Sequence, residues 1–299
     1  MHQITAYGGN NGSVPFAQAV PQSPGWAPVV SNQQQEQIFQ TYLDVLNVST
    51  IQEARELPYS ALQRANIITT ANSPYGQFTY GPTVDGNFVP ALPGELLLHG
   101  QFDQSLRLMV GHNAREGLLF TSPFASSNET ALTNYITANL PTLRAWPQVL
   151  DYILTEAYPP IYDGSQAQNY TDPIARASAI TAELVFTCNT HYLNTAFGNR
   201  TYAYFFTVPP ALHGQDIDYT YYNDGGQSTE VLSVEVALAL QEYITSFAMS
   251  GSPNGEGVPF FDMYGANATV QRLALGGIGE VLDRTANERC AFWQKALYV

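Results

Sequence analysis

Apolar and polar positions follow two different periods along this chain, and the switching between them predicts short strands separated by long helical stretches. Ala17-Gln-Ala-Val20 is a short apolar strand that stops at Pro21-Gln-Ser-Pro-Gly25. Asn32 to Leu46 puts Ile38, Tyr42, Val45 and Leu46 on one helical stripe and leaves the run Asn32-Gln-Gln-Gln-Glu-Gln37 as its exposed face. A second helix is expected over Ile51 to Ile67, capped by Ser49 or Thr50 with Glu53 in its first turn. Pro93 to His99 is a short helix, and Leu106-Arg-Leu-Met-Val110 is a strand with Gly111 where the chain turns. Residues 129–157 and 172–197 are mostly helical, the latter opening on an Asp172-Pro173 cap. Thr201-Tyr-Ala-Tyr-Phe-Phe-Thr-Val208 is apolar on both faces, as a central strand is. Glu230 to Met249 is a long helix stopped at Gly251, and a last helix surrounds Cys290-Ala-Phe-Trp293. At the other end, Met1 to Tyr7 reads as the tail of a helix broken at Gly8-Gly9.

Strands alternating with helices indicate an α/β fold around a parallel sheet. About three strands stand out in the chain's 299 residues, few for the length, and no internal repeat or Gly/Ser linker divides them. No run of roughly 18 apolar residues is present, so no membrane span is expected. Acidic residues outnumber basic ones by 25 to 11, giving a net charge of −14 that repels phosphate backbones and anionic headgroups. Nucleic acid is thereby excluded as a partner.

Six Asn-x-Ser/Thr sequons, at Asn11, Asn47, Asn128, Asn169, Asn199 and Asn267, give the chain the look of a secreted glycoprotein, although residues 1–12 carry neither the basic nor the apolar region of a signal peptide. Two cysteines, Cys188 and Cys290, stand too far apart for a zinc knuckle or a C-x-x-C redox pair. They are either two buried thiols or one long-range disulfide, which would stabilise by roughly 4 to 5 kcal/mol in the chain-entropy view.

In open α/β sheets functional groups gather beyond the carboxyl ends of strands. Glu116 follows the strand ending at Val110, and His213 follows the strand ending at Val208. A carboxylate and an imidazole at one sheet edge can form the orienting half of a catalytic triad, the acid fixing the tautomer and the imidazole moving the proton. The other histidines, His2, His99, His112 and His191, lack metal-ligand spacing and read as structural. Phe78, Tyr80, Phe120, Phe124 and Tyr221 read as ordinary core and loop aromatics, though they could also line a pocket.

Several segments resemble, in order, the second half of the type-B carboxylesterases, the family of cholinesterases and large fungal lipases. Phe16-Ala-Gln-Ala-Val-Pro-Gln-Ser23 resembles the strand after the nucleophile helix, and Val84-Asp-Gly-Asn-Phe-Val-Pro90 the V-D-G-x-x-x-P segment. Val110-Gly-His-Asn-Ala-Arg-Glu-Gly117 is similar to the acid loop, and Leu212-His-Gly-Gln-Asp-Ile217 to the histidine loop. Phe247-Ala-Met-Ser-Gly-Ser-Pro-Asn254 resembles F-A-x-x-G-x-P-N, and Arg289-Cys-Ala-Phe-Trp293 the C-terminal R-C-x-F-W. The resemblance implies an α/β-hydrolase fold and hydrolysis of a small-molecule or lipid ester through a serine acyl-enzyme, with no cofactor and no metal. It implies Glu116 as triad acid, His213 as general base, and a disulfide between Cys188 and Cys290.

The resemblance also lacks a part. No Gly-x-Ser-x-Gly occurs in the chain. Gly226-Gln-Ser-Thr-Glu230 has Glu in place of the second glycine, Ser23 lies in a turn of another type, and Ser252 has the wrong spacing. Residues 1–299 are therefore expected to be a single incomplete α/β-hydrolase domain, the C-terminal part of a secreted esterase with a truncated, mostly parallel sheet. As an isolated chain it is expected to be inactive. A non-catalytic carboxylesterase-like binding protein is the competing expectation, and complementation by a separate N-terminal polypeptide a third.

Overall fold

The computed structural model describes residues 1–10, 12, 14–26, 32–223 and 231–298. Five strands form one sheet in the order β1-β2-β3-β4-β5. They are β1 (Gln18–Ala19), β2 (Arg107–Asn113), β3 (Tyr202–Phe206), β4 (Thr269–Ala274) and β5 (Gly277–Leu282). The first four run parallel, and β5 returns antiparallel to β4. This is the mostly parallel sheet that strands separated by helices require, since parallel neighbours need a crossover.

Among the described residues the α-helices are α1 (Asn32–Leu46), α2 (Ile51–Arg55), α3 (Tyr59–Ala71), α4 (Pro93–Leu98), α5 (Glu129–Asn139), α6 (Pro147–Tyr152), α7 (Pro173–Ala182), α8 (Cys188–Ala196), α9 (Asp216–Thr220), α10 (Val234–Ser250) and α11 (Glu288–Gln294). Alternate strand residues face opposite layers, as the two-residue pleat dictates. Leu108, Val110, Ala203 and Val270 pack with Leu97 of α4, Ile180 of α7, Leu193 of α8 and Trp293 of α11. Met109, Tyr204, Phe206 and Leu273 pack with Tyr219 of α9 and with Val236, Leu240, Tyr243 and Phe247 of α10. Each fully buried Leu or Phe in these layers is worth about 1.5 to 3 kcal/mol of removal from water.

Local chemistry sets the helix ends. Thr50 accepts from the Glu53 N–H while Glu53 reaches back to the Thr50 N–H, a complete capping box. The helix expected over Ile51 to Ile67 is instead two, because Pro58 stands extended (φ −65°, ψ 148°) as the N-cap of α3. Asp172 caps α7 through the Ala175 N–H at 2.8 Å. A π-helical stretch, Glu183–Thr187, joins α7 to α8, so the two form one widened helical run. Ser233 caps α10, and Gly251 closes it in the left-handed conformation.

Four other expectations change. Residues 1–7 form one turn and a short 3-10 stretch rather than a helix, since Tyr7 and Gly8 adopt positive φ. In α1 the buried residue is Leu43, and Val45 is exposed. Gly111 lies inside β2 rather than at a turn, opposite Tyr204 in register. The β4–β5 hairpin, which the chain's pattern did not announce, ends the sheet in a partly exposed edge strand, β5, that carries two glycines and little alternation.

Cys188 and Cys290 are disulfide-bonded, with Cα atoms 5.1 Å apart. The bond ties the start of α8 to α11 across 102 residues of chain.

Candidate active site

The carboxyl ends of β2 and β3 lead into two loops that bond to each other. Beyond the strands, Arg115 and Leu212 form a parallel bridge, with the Arg115 N–H donating to the Ala211 carbonyl at 2.9 Å. The Asn113 amide donates to the Leu212 carbonyl at 2.9 Å. One loop carries Glu116 and the other His213, so the sheet register fixes their separation.

Glu116 is fully buried, and its Oε2 lies 2.5 Å from His213 Nδ1. Two heteroatoms at that distance need a proton between them, so a carboxylate there selects the Nδ1–H tautomer. The other carboxylate oxygen, Oε1, accepts from Ser23 Oγ at 2.7 Å and from the Asn113 N–H. Both oxygens of the buried acid are thus satisfied. The imidazole is 29% exposed on its side chain, and among the described residues no hydrogen bond reaches Nε2, which leaves that nitrogen available to a reacting group. Phe186, from the π-helical stretch, lies 4.4 Å from the His213 ring centroid, and Phe120 meets the ring edge-on at 5.1 Å.

Close approach brings the acid loop to its place. A Cβ at Gly117 would stand 2.0 Å from the Ser178 carbonyl oxygen and 2.7 Å from the Ala182 nitrogen, so only glycine lets the loop lie against α7.

A second buried carboxylate braces the pair. Asp216, at the start of α9, accepts from Tyr204 Oη at 2.6 Å and from the Asn113 amide at 3.1 Å, while Gln22 reaches Tyr204 Oη at 3.0 Å. Burial raises the Asp216 carboxyl above its ordinary range, and burial beside that carboxylate raises the Tyr204 phenol well above its own. The chain Gln22–Tyr204–Asp216–Asn113–Glu116–His213 runs from the end of β1 to the imidazole.

Glu116 and His213 are brought together, and Cys188 joins Cys290. Ser23 is the nearest surprise: its backbone N–H extends the β1–β2 pairing by donating to the Gly111 carbonyl at 2.7 Å, and its hydroxyl holds Glu116. The segment ending at Ser23 already carried the family pattern, which was a usable signal. Asn113, Asp216 and Phe186 had no such signal, because their roles depend on which loops meet. Ser252 follows α10, whose last residue Ser250 accepts from Arg107 at the start of β2, the opposite edge of the sheet. Gly226-Gln-Ser-Thr-Glu230 and Asn11 lie outside the described residues. Phe78 and Phe120 pack at 5.3 Å and border an apolar cavity of about 140 Å³ together with Ile180 and Leu184, whereas Phe124 and Tyr221 are exposed. Asn47, Asn128, Asn169 and Asn267 are exposed, and Asn199 is half-buried beside a fully buried Thr201. No helix of the described residues is long and apolar enough to cross a membrane.

The profile of the carboxylesterase family matches residues 10–293. The carboxylesterase patB of Penicillium expansum is 35% identical over 294 residues, which are 98% of this chain and 51% of that protein. A secreted lipase of Arthroderma benhamiae is 26% identical over 205 residues, 65% of this chain and 36% of its own length. The chain spans about half the length of the curated patB relative it matches. The crystal structure of Aspergillus niger EstA superposes with a TM-score of 0.77 at 19% identity, covering 98% of this chain and 61% of that one.

Proposed function

The chain belongs to the carboxylesterase family, and on that premise we propose that Glu116 and His213 are the acid and general base of a serine-type ester hydrolase whose nucleophile and oxyanion donors lie outside these 299 residues. The observation that carries this reading is the 2.5 Å contact between a fully buried Glu116 and His213 Nδ1 at the carboxyl edge of a parallel sheet. In that reading Glu116, held by Ser23 and Asn113, orients the ring and offsets the imidazolium that forms. Nε2 takes the proton of the attacking hydroxyl and returns it to the leaving alcohol. Phe186 packs at a tilt against the ring and Phe120 meets it edge-on, shielding part of it from water. The apolar cavity bordered by Phe120 and Phe78 receives an acyl or alcohol group of a small-molecule or lipid ester.

A tetrahedral intermediate needs backbone donors at its oxyanion and a hydroxyl within reach of Nε2. Neither is evident in this sequence, and loss of the nucleophile lowers serine-hydrolase turnover by roughly 10⁶-fold. The isolated chain is therefore inactive in this reading and forms one incomplete domain. Support comes from β1, an edge strand of two residues whose outer side pairs with no other described strand. An organophosphonate probe tests the assignment: a version extended upstream to the length of the relatives is labelled, while this chain is not. Labelling of the short chain would overturn the absence of a nucleophile, and failure of both would overturn the hydrolase reading.

The same protein is a secreted glycoprotein in this reading. Supporting it are four exposed sequons, a disulfide and the relative named a secreted lipase. Endoglycosidase treatment of material exported from a eukaryotic host lowers its mass by up to four glycans from Asn47, Asn128, Asn169 and Asn267; an unchanged mass contradicts it.

A further inference from the structure

A second cavity, of about 780 Å³, lies behind the acid loop and is bordered by neither Glu116 nor His213. Its size falls within the range of small-molecule sites. Its walls come from the acid loop, from the residues leading into α7, and from the segment between β5 and α11.

The charges there are unusual for this chain. Three of its eleven basic residues, Arg115, Arg284 and Arg289, border this one cavity in a molecule of net charge −14. Arg289 is neutralised, since its guanidinium donates to both oxygens of Glu183 at 2.8 and 2.9 Å. Arg115 and Arg284 are not: among the described residues neither guanidinium has a hydrogen bond or ion pair. The acid at the rim, Asp172, is occupied in capping α7. Asp172 keeps its charge there but pairs with neither arginine, so two guanidiniums without an ion-pair partner among the described residues border the cavity. The remaining wall is mixed: Leu118, Ile174 and Phe205, half-buried, give it one apolar side, the run from Ser165 to Thr171 together with Ser178 and Thr187 gives it a polar one, and His112 forms part of its floor.

We propose that this cavity binds a small organic carboxylate, its head held by Arg115 and Arg284 and its apolar body against Phe205, Leu118 and Ile174. Guanidinium forks match a carboxylate two bonds at a time, and an apolar wall selects an anion with a hydrocarbon body over an inorganic one. The inference stands on this cavity alone and does not depend on catalysis at His213.

Benzoate serves as the probe, with benzyl alcohol as the same body without the charge and sulfate as the charge without the body. In the full chain labelled with ¹⁵N-histidine, the His112 ring, packed at a tilt 5.1 Å from Phe205, reports the cavity, and His213 reports the other site. Benzoate is expected to shift His112 saturably in the millimolar range and to leave His213 nearly still. Benzyl alcohol, and sulfate at matched ionic strength, are expected not to saturate there. Arg115→Gln and Arg284→Gln, both at exposed positions, are each expected to weaken benzoate binding about tenfold or more with the other histidine signals unchanged. The proposal is overturned if His112 does not respond to benzoate, if benzyl alcohol or sulfate binds as well, or if both variants bind benzoate like the parent. Because no step reads esterase activity, these outcomes are separate from those of the phosphonate test.

Discussion

Gly111→Ala is the substitution in which strand packing and site geometry meet. A Cβ at this position would stand 2.0 Å from Cζ and 2.1 Å from Cε1 of Tyr204, against ordinary carbon contacts of about 3.5 to 4.0 Å. The ring would have to retreat by about 1.5 Å, yet Tyr204 is 1% exposed and has no free space to enter. Overpacking of this kind costs about 1 to 3 kcal/mol. Moving the ring also pulls its hydroxyl from Asp216, 2.6 Å away, and loss of a hydrogen bond to a buried carboxylate adds about 1.5 to 3 kcal/mol. The two effects share one side chain and do not simply add, so the expected loss is about 3 to 5 kcal/mol. The sign is diagnostic, because Gly→Ala in an unhindered strand stabilises by about 0.4 to 1 kcal/mol. Urea unfolding followed by tryptophan fluorescence measures it. In a Tyr204→Ala background the clash is gone, and Gly111→Ala should then be close to neutral. If the single substitution changes stability by less than about 0.5 kcal/mol, or if Tyr204→Ala gives no relief, the packing argument fails.

Replacing Cys188 and Cys290 by serine should lower stability by about 4 to 5 kcal/mol, given a closed loop of 102 residues, and unfolding with and without reductant checks it. Ser23→Ala removes a 2.7 Å donor from the buried Glu116 and should cost about 1 to 3 kcal/mol while moving the His213 ring resonances; an unmoved His213 spectrum would deny Ser23 a positioning role. Burial holds His112 below its ordinary value of 6.5, with the carboxylates of Asp283, Glu116 and Asp216 partly opposing. The unfolded chain therefore binds this proton first, and the stability His112 provides is complete above pH 6.5 and is lost as pH falls through the lowered value. His112→Gln should flatten the stability profile in that acid window by up to about 1.4 kcal/mol per pH unit, and an unchanged slope would count against it.

Much of this architecture was legible before any coordinates. Alternating periods announced a parallel α/β sheet, Asp172-Pro173 and Thr50 with Glu53 announced helix starts, and the ordered motifs pointed to Glu116, His213 and the cysteines. These signals are local: a cap bonds within three residues, a helix stripe repeats within a few turns, and a motif is contiguous. Strand β5 escaped because a partly exposed edge strand is under weak pressure to alternate. In sequence Gly111 reads as a turn, because glycine in isolation signals freedom, whereas in the fold it marks the absence of room.

The sequence by itself determined the class of fold, the family and the two residues whose chemistry could be paired. Tertiary structure decided that Glu116 and His213 lie 2.5 Å apart, that Ser23 and Asn113 hold the acid, and that Asp216 braces the loop from beneath. It also gathered Arg115, Arg284 and Arg289 around one cavity. The physical reason is range. Propensities, caps and motifs are written over a few neighbouring residues, but a contact between residues 97 positions apart depends on strand register and on how closely two layers pack.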